Sequence, residues 1–129
     1  MEPSYRVWKI HEMKAIDRGP GLRGWPLVST EVGSQHLTTG ITEFQDGTGL
    51  ELHTHNCEEQ VTVVEGSASA EINGTWYELT APDTTFVSTG LPHRFINRSG
   101  KPMKILWVYT STQVTRTFVG SGKTVAQFP

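Results

Sequence analysis

The sequence predicts an all-β protein, built as a sandwich or barrel of short strands. Thirteen glycines and seven prolines divide the chain into short runs rich in Val, Thr, Ile and aromatic residues. Runs of this composition that are bounded by turn residues are typical of strands. No window of about eleven residues or more carries a helical period. The pair Asn73-Gly74 lies between SASAEI and TWYEL and predicts a two-residue hairpin turn. Short strands separated by regular turns favour a sandwich or a barrel.

Nine runs are predicted as strands, because each is rich in β-branched and aromatic residues and is bounded by turn residues. In chain order they are residues 5–10, 35–44, 49–55, 60–65, 67–72, 75–79, 84–88, 93–98 and 103–111. The segment HEMKAID (11–17) is expected to form a helical turn or two. The final stretch, VGSGKTVAQFP, is compatible with a loose tail or with an edge strand.

The run KILWVYT, within residues 103–111, is apolar on both faces. Trp107 and Tyr109 share one face, and Leu106 and Val108 share the other. Such a strand is typically covered on both sides; we expect the barrel core on one side and a second subunit on the other. YRVWKI (5–10) is a candidate for strand exchange, and we expect a homodimer.

Length and charge exclude several classes of function. The chain has 129 residues, with 11 basic and 13 acidic side chains and no block of like charge, so no nucleic-acid or anionic-membrane surface is indicated. The single cysteine excludes an internal disulfide. The N-terminus lacks an apolar core of signal-peptide length, and no run is long enough to span a bilayer. We therefore expect a cytoplasmic protein with no membrane partner.

The stretch HTHNCEE (53–59) suggests one half of a metal site. His53 and His55 stand at i and i+2 in a predicted strand, so both side chains leave the same face. Glu58 and Glu59 follow a probable turn, and either could fold back beside the pair. A third nitrogen ligand must come from elsewhere, and His93 stands at the start of a later predicted strand.

These residues resemble the two sequence motifs of the cupin superfamily. The first motif is matched at every fixed position by Gly47, His53, His55, Glu59 and Gly66. In the second, three positions match and two turn positions differ; the matching residues are Gly90, His93 and Asn97, and the differing ones are Pro82 and Ser88. The resemblance covers residues 47–97. It implies one domain over residues 1–129, a cupin-type double-stranded β-helix, or jelly-roll barrel, with its core at about 36–112 and with the N-terminal strand and C-terminal tail as extensions.

The resemblance also implies a metal site. In cupins the histidines and glutamate of the first motif and the histidine of the second bind a divalent metal. Carried over, the ligands are His53, His55, Glu59 and His93, holding one divalent transition metal per chain. Three imidazoles and a carboxylate suit Fe, Mn, Ni, Co or Zn. The positive centre favours a small anionic or chelating substrate.

Three further residues have open assignments. Glu51 shares strand parity with His53 and His55, so it is the candidate general base, with a bulge that turns it to solvent as the alternative. His36 is expected to face either the pocket or the surface. Cys57 is read as a buried inert thiol or a solvated turn residue in preference to a nucleophile.

The sequence leaves three functions open. The first is a dioxygenase of a small organic acid or diketone. The second is a metal-dependent isomerase, decarboxylase or lyase of a small anionic metabolite. The third is a non-catalytic barrel that binds a small ligand or a metal.

Overall fold

Two six-stranded antiparallel sheets make up the fold, as a computed structural model that describes residues 4–127 shows. Within this range no helix is long and apolar enough to cross a membrane, and the helical segments are short 3-10 turns at Ile10–Glu12 and Thr30–Val32. The strands are β1 (Ile16–Gly19), β2 (Leu22–Pro26), β3 (Thr38–Phe44), β4 (His53–His55), β5 (Glu59–Glu65), β6 (Ser67–Ile72), β7 (Thr75–Thr80), β8 (Thr84–Val87), β9 (His93–Ile96), β10 (Met103–Tyr109), β11 (Thr115–Phe118) and β12 (Thr124–Ala126).

The sheet order produces a double-sheet jelly-roll barrel. The first sheet runs β1-β2-β3-β10-β5-β8 and the second runs β12-β11-β4-β9-β6-β7. Many neighbours in space are distant in sequence, as when β10 lies between β3 and β5 or β11 lies against β4. The predicted all-β jelly-roll class is therefore confirmed.

The core lies between the two sheets, and strand alternation determines which side chains enter it. Along β10, buried residues alternate with half-buried ones, because successive side chains point to opposite faces. Trp107 and Tyr109 point inward, and the outer face with Leu106 and Val108 is half-buried. The Asn73-Gly74 hairpin between β6 and β7 is present, with both residues at positive φ, as a type I′ turn requires.

The two ends of the chain differ from the sequence-based strand assignment. Residues 5–10 form no strand with the rest of the described chain; Tyr5 and Val7 are 88% and 72% exposed. The hairpin β1–β2 was not predicted, because IDRGPGLRGWP is dense in the glycines and prolines that usually mark loops. The final stretch contributes an edge strand, β12, as one of its two expected alternatives, with residues 128 and 129 outside the described range.

Candidate metal centre

Three histidines converge inside the second sheet. His53 and His55 are the first and last residues of β4, so strand alternation sends both rings to the interior face. His93 begins β9 and is directly opposite His53 in the β4–β9 pairing, which places its ring on the same face. Their ligand nitrogens lie within 4.8 Å of one another, and all three residues are buried. The three imidazoles can therefore hold a metal ion.

The backbone fixes the orientation of each imidazole. Every ring donates its Nδ1–H to a main-chain carbonyl, which leaves Nε2 as the nitrogen that could bind a metal. The bonds run from His53 to Glu51 O at 2.6 Å, from His55 to Thr115 O at 2.9 Å and from His93 to Leu91 O at 2.9 Å. The three Nε2 atoms are thus oriented before any ion binds.

Glu59 completes the group from the neighbouring sheet. It begins β5 and is 3% exposed, with Oε2 at 2.9 Å from His93 Nε2 and 3.4 Å from His55 Nε2. Glu59 Oε1 and His55 Nε2 are buried without a hydrogen-bond partner. Buried polar atoms are rarely left unpaired, and here both belong to side chains that face one another. The neighbouring Glu58 is exposed, whereas Glu59 is buried beside the histidines. The donor set therefore fits a divalent transition metal.

The protonation states of the site follow from these contacts. Burial alone would raise the pKa of Glu59, but the close contacts of its carboxylate with the imidazoles of His55 and His93 outweigh it and lower that pKa to about 2. Burial opposes protonation of His93, yet the hydrogen bond to Glu59 raises the pKa of His93 overall. Burial lowers the pKa of His53 to about 3, with further lowering by the charge of Arg116. Glu59 is thus charged and His53 neutral at pH 7, the forms that bind metal.

A cavity of about 400 Å³ opens onto the site and can admit a small molecule. Its walls include His53, Glu59 and His93 together with an apolar surface that contains Val61, Phe95 and Trp107. The remaining lining residues come from β1, β2, β3, β10, β11, β12, the segment before β4 and the residue after β12; they are Asp17, Arg18, Leu22, Thr42, Phe44, Leu50, Ile105, Tyr109, Arg116, Val125, Ala126 and Gln127. Tyr109 is buried, and burial raises its pKa well above the ordinary value, so it stays a neutral phenol.

Glu51 does not join the histidines, and its placement by strand parity is wrong. The strand β4 begins only at His53 and the chain bends at Leu52, so the alternation does not extend back to residue 51. The Glu51 side chain is exposed and absent from the cavity wall. Its contribution is the backbone carbonyl that accepts the His53 proton.

For His36 and Cys57, the structure agrees with the alternative that gives the residue no contact with the site. His36 is exposed and outside the cavity. Cys57 is buried in the apolar core, and burial raises the pKa of its thiol, which suits an inert residue.

Arg116 lines the cavity and was not found from the sequence. It lies in β11, and the pairing of β11 with β4 sets it opposite His55. The signal was present in VTRTF, a run rich in β-branched and aromatic residues that reads as a strand. The cavity wall also includes Trp107 and Tyr109, which the sequence indicated as core and interface residues.

The fold and the site define a jelly-roll barrel with a candidate metal centre beside an internal cavity. Residues 40–109 match the sequence profile of the Cupin domain, and the chain belongs to the cupin family. It is 39% identical over 104 residues to the HTH-type transcriptional regulator PuuR of Escherichia coli, covering 80% of this chain and 56% of that protein. The chain thus spans about half the length of the curated relatives it matches.

Solved structures share the fold at low identity. The polyketide cyclase RemF from Streptomyces resistomycificus is 23% identical, with a TM-score of 0.75, over 92% of this chain and 89% of that one. An RmlC-like cupin from Shewanella frigidimarina is 22% identical, with a TM-score of 0.72, over 85% and 94% of the two chains. At these identities the likeness establishes the shared fold alone.

Proposed function

We propose that the chain is a metal-dependent cupin enzyme that oxidises a small organic acid or diketone in a dioxygenase-type reaction. Its metal ligands are His53, His55, Glu59 and His93, which hold one divalent transition metal per chain. The observation that carries the proposal is the pair of buried, unpartnered ligand atoms, Glu59 Oε1 and His55 Nε2, beside two further imidazoles. An ion among them satisfies atoms that nothing else in the described chain satisfies.

The chain's own residues orient the metal-ligand side chains and line the cavity in which the substrate binds. The carbonyls that accept the Nδ1 protons hold the rings in place, and Glu59 supplies the single negative charge of the ligand set. A bound divalent metal polarises a substrate oxygen and, when redox-active, exchanges electrons with dioxygen. The apolar wall formed by Val61, Phe95 and Trp107 limits water around the substrate.

The cavity favours oxygen chemistry over proton transfer by the protein. Isomerases and lyases need a positioned base or acid near the substrate. Among the described cavity residues, the one carboxylate besides Glu59 is Asp17, which is exposed on β1 and accepts a hydrogen bond from Gly19 N. Tyr109 keeps its proton. A reaction that relies on the metal and dioxygen therefore suits these walls better.

A second candidate is ligand binding without catalysis. The specific support is the 39% identity to a protein named as a transcriptional regulator. In that case the same cavity binds a small acid whose presence is signalled elsewhere, and no turnover follows.

Metal content and oxygen uptake separate these functions. Protein purified without an affinity tag is expected to contain about one transition metal per chain, and its iron form is expected to consume oxygen with a member of a panel of small chelating acids and diketones. The matched control is His93→Ala, which removes one ligand. Anion binding that needs the metal but gives no oxygen uptake or other product would favour the ligand-binding role. Equal anion affinity with and without metal would refute a part for the ion in either role.

A further inference from the structure

Arg116 occupies a position that strand pairing directs into the cavity. It is opposite His55 in the β4–β11 register, and directly opposed residues of an antiparallel pair project to the same face. Because His55 faces the interior, Arg116 does as well, and it lines the cavity with His53, Glu59 and His93. Its neighbours Thr115 and Thr117 alternate to the other face.

The guanidinium of Arg116 has no acidic partner. No carboxylate of residues 4–127 lies within ion-pair distance of it, and its buried Nε lacks a hydrogen-bond partner. Its neighbour is the neutral hydroxyl of Tyr109. Glu59, the buried acid of the cavity, is engaged by His55 and His93. Two other arginines, Arg23 and Arg94, each have a glutamate oxygen within 2.7 Å.

The positive charge of Arg116 would repel a bound metal dication unless an anionic ligand lay between them. Arg116 lines the same cavity as His53 and His93, so its positive charge lies beside the imidazoles of the candidate metal centre. A dication beside one carboxylate and one guanidinium leaves positive charge uncancelled. Arg116 is half-buried and its Nε is buried, and removing part of a charged group from water without a partner of opposite charge is costly. A negatively charged ligand recovers that cost.

We infer that Arg116 binds the carboxylate of the substrate and selects small acids over neutral diketones. This inference rests on the proposed function, since it assigns the substrate class of the same site. The matching ligand carries two features: a pair of oxygens that chelate the metal, and carboxylate oxygens that accept hydrogen bonds from the planar guanidinium. Its carbon skeleton is compact and contacts the apolar wall. Arg116 is a substrate-binding residue and takes no proton.

Malonate and acetylacetone form the probe pair that tests this. Both present two oxygens in the same chelating arrangement, but malonate carries additional carboxylate oxygens where acetylacetone has methyl groups. Calorimetric titrations use the manganese-loaded full chain as wild type, Arg116→Met, Arg116→Lys and Arg94→Met. Arg94 is the matched control, because it pairs with Glu71 and lies outside the cavity wall.

The expected result is a selective loss. Arg116→Met should weaken malonate binding about tenfold or more, since a charge-assisted hydrogen bond is lost, and should leave acetylacetone binding within about twofold. Arg116→Lys should bind malonate less tightly than wild type does, because the ammonium group lacks the forked donor geometry of the guanidinium. Arg94→Met should match the wild type with both probes. Equal malonate affinity in wild type and Arg116→Met overturns the inference, and if that variant does not fold, equal affinity in Arg116→Lys overturns it.

Malonate titration of metal-free wild type and metal-free Arg116→Met distinguishes a failure of the proposed metal-dependent function from a failure of the inference about Arg116. Metal-free wild type should still bind malonate, more weakly, and Arg116→Met should bind it less tightly again. A chain that takes up no manganese refutes the proposed function, and the metal-free comparison then decides the role of Arg116 by itself. If metal-free wild type and metal-free Arg116→Met bind malonate equally tightly, the inference is overturned.

Discussion

Acidification should destabilise the metal-free protein through one buried imidazole, His53. This residue is 2% exposed, and burial is the main reason that its pKa falls from 6.5 to about 3 in the folded chain. The unfolded chain binds the proton more readily than the folded chain does. The stabilising contribution is therefore fully present above about pH 6.5 and is lost as the pH falls toward about 3.

The magnitude follows from the two pKa values. Between pH 7 and pH 5, this shift removes about 2 kcal/mol from the free energy of unfolding, a sizeable part of the total for a small domain. Glu59 has a folded pKa of about 2 against 4.5, so its own loss falls almost entirely below pH 5. His93 acts with the opposite sign, because its pKa is raised and its contribution grows as the pH falls to about 6.5.

Urea unfolding followed by tryptophan fluorescence, in the presence of a chelator, measures the effect. The decisive quantity is the difference between wild type and His53→Gln, which cannot titrate at that position. Wild type should lose about 2 kcal/mol more than the variant between pH 7 and pH 5. His11→Gln is the control, because His11 is 82% exposed and should leave the wild-type slope unchanged. Identical slopes for wild type and His53→Gln would show that burial does not hold His53 neutral.

Three further predictions concern the metal, the packing and the assembly. His93→Ala should lose stoichiometric metal by elemental analysis while its far-ultraviolet circular dichroism stays β-type; retained metal would contradict the ligand assignment. Gly40→Ala should cost about 1–3 kcal/mol of unfolding free energy, because a Cβ there would overlap the indole ring of Trp107; an unchanged urea midpoint would refute this. Light scattering at micromolar concentration should give a dimer mass, with residues 4–9 free to pair with a second copy, and deletion of that segment should shift the mass toward monomer; a monomeric full chain would count against it.

Much of the candidate site could be predicted because it depends on local rules. Strand parity puts His53 and His55 on one face, and motif spacing separates Glu59 from the exposed Glu58. His93 follows from the second motif. Parity failed at Glu51 because alternation holds only within a strand, and a bend at Leu52 ends it.

The rest depends on long-range pairing that no local pattern contains. Arg116 enters the cavity only because β11 pairs with β4, a strand about sixty residues earlier in the chain. The hairpin β1–β2 is similar: its glycine- and proline-rich sequence indicates a loop, and its pairing with β3 makes it part of the first sheet. In this hairpin tertiary contacts override local propensity.

The proposed metal ligands and the proposed substrate-binding residue lie in different parts of the sequence. The proposed metal ligands lie between residues 53 and 93, inside the matched Cupin segment that ends at residue 109, whereas Arg116 lies beyond that segment. Thr115 in the same strand supplies the carbonyl that orients His55, through its main chain and so without regard to side-chain identity. Substitutions in β11 can therefore change which ligand the barrel accepts while the metal-binding sequence stays fixed. From the inferred role of Arg116, chains that share both motifs but carry another residue at this position are expected to differ in ligand preference.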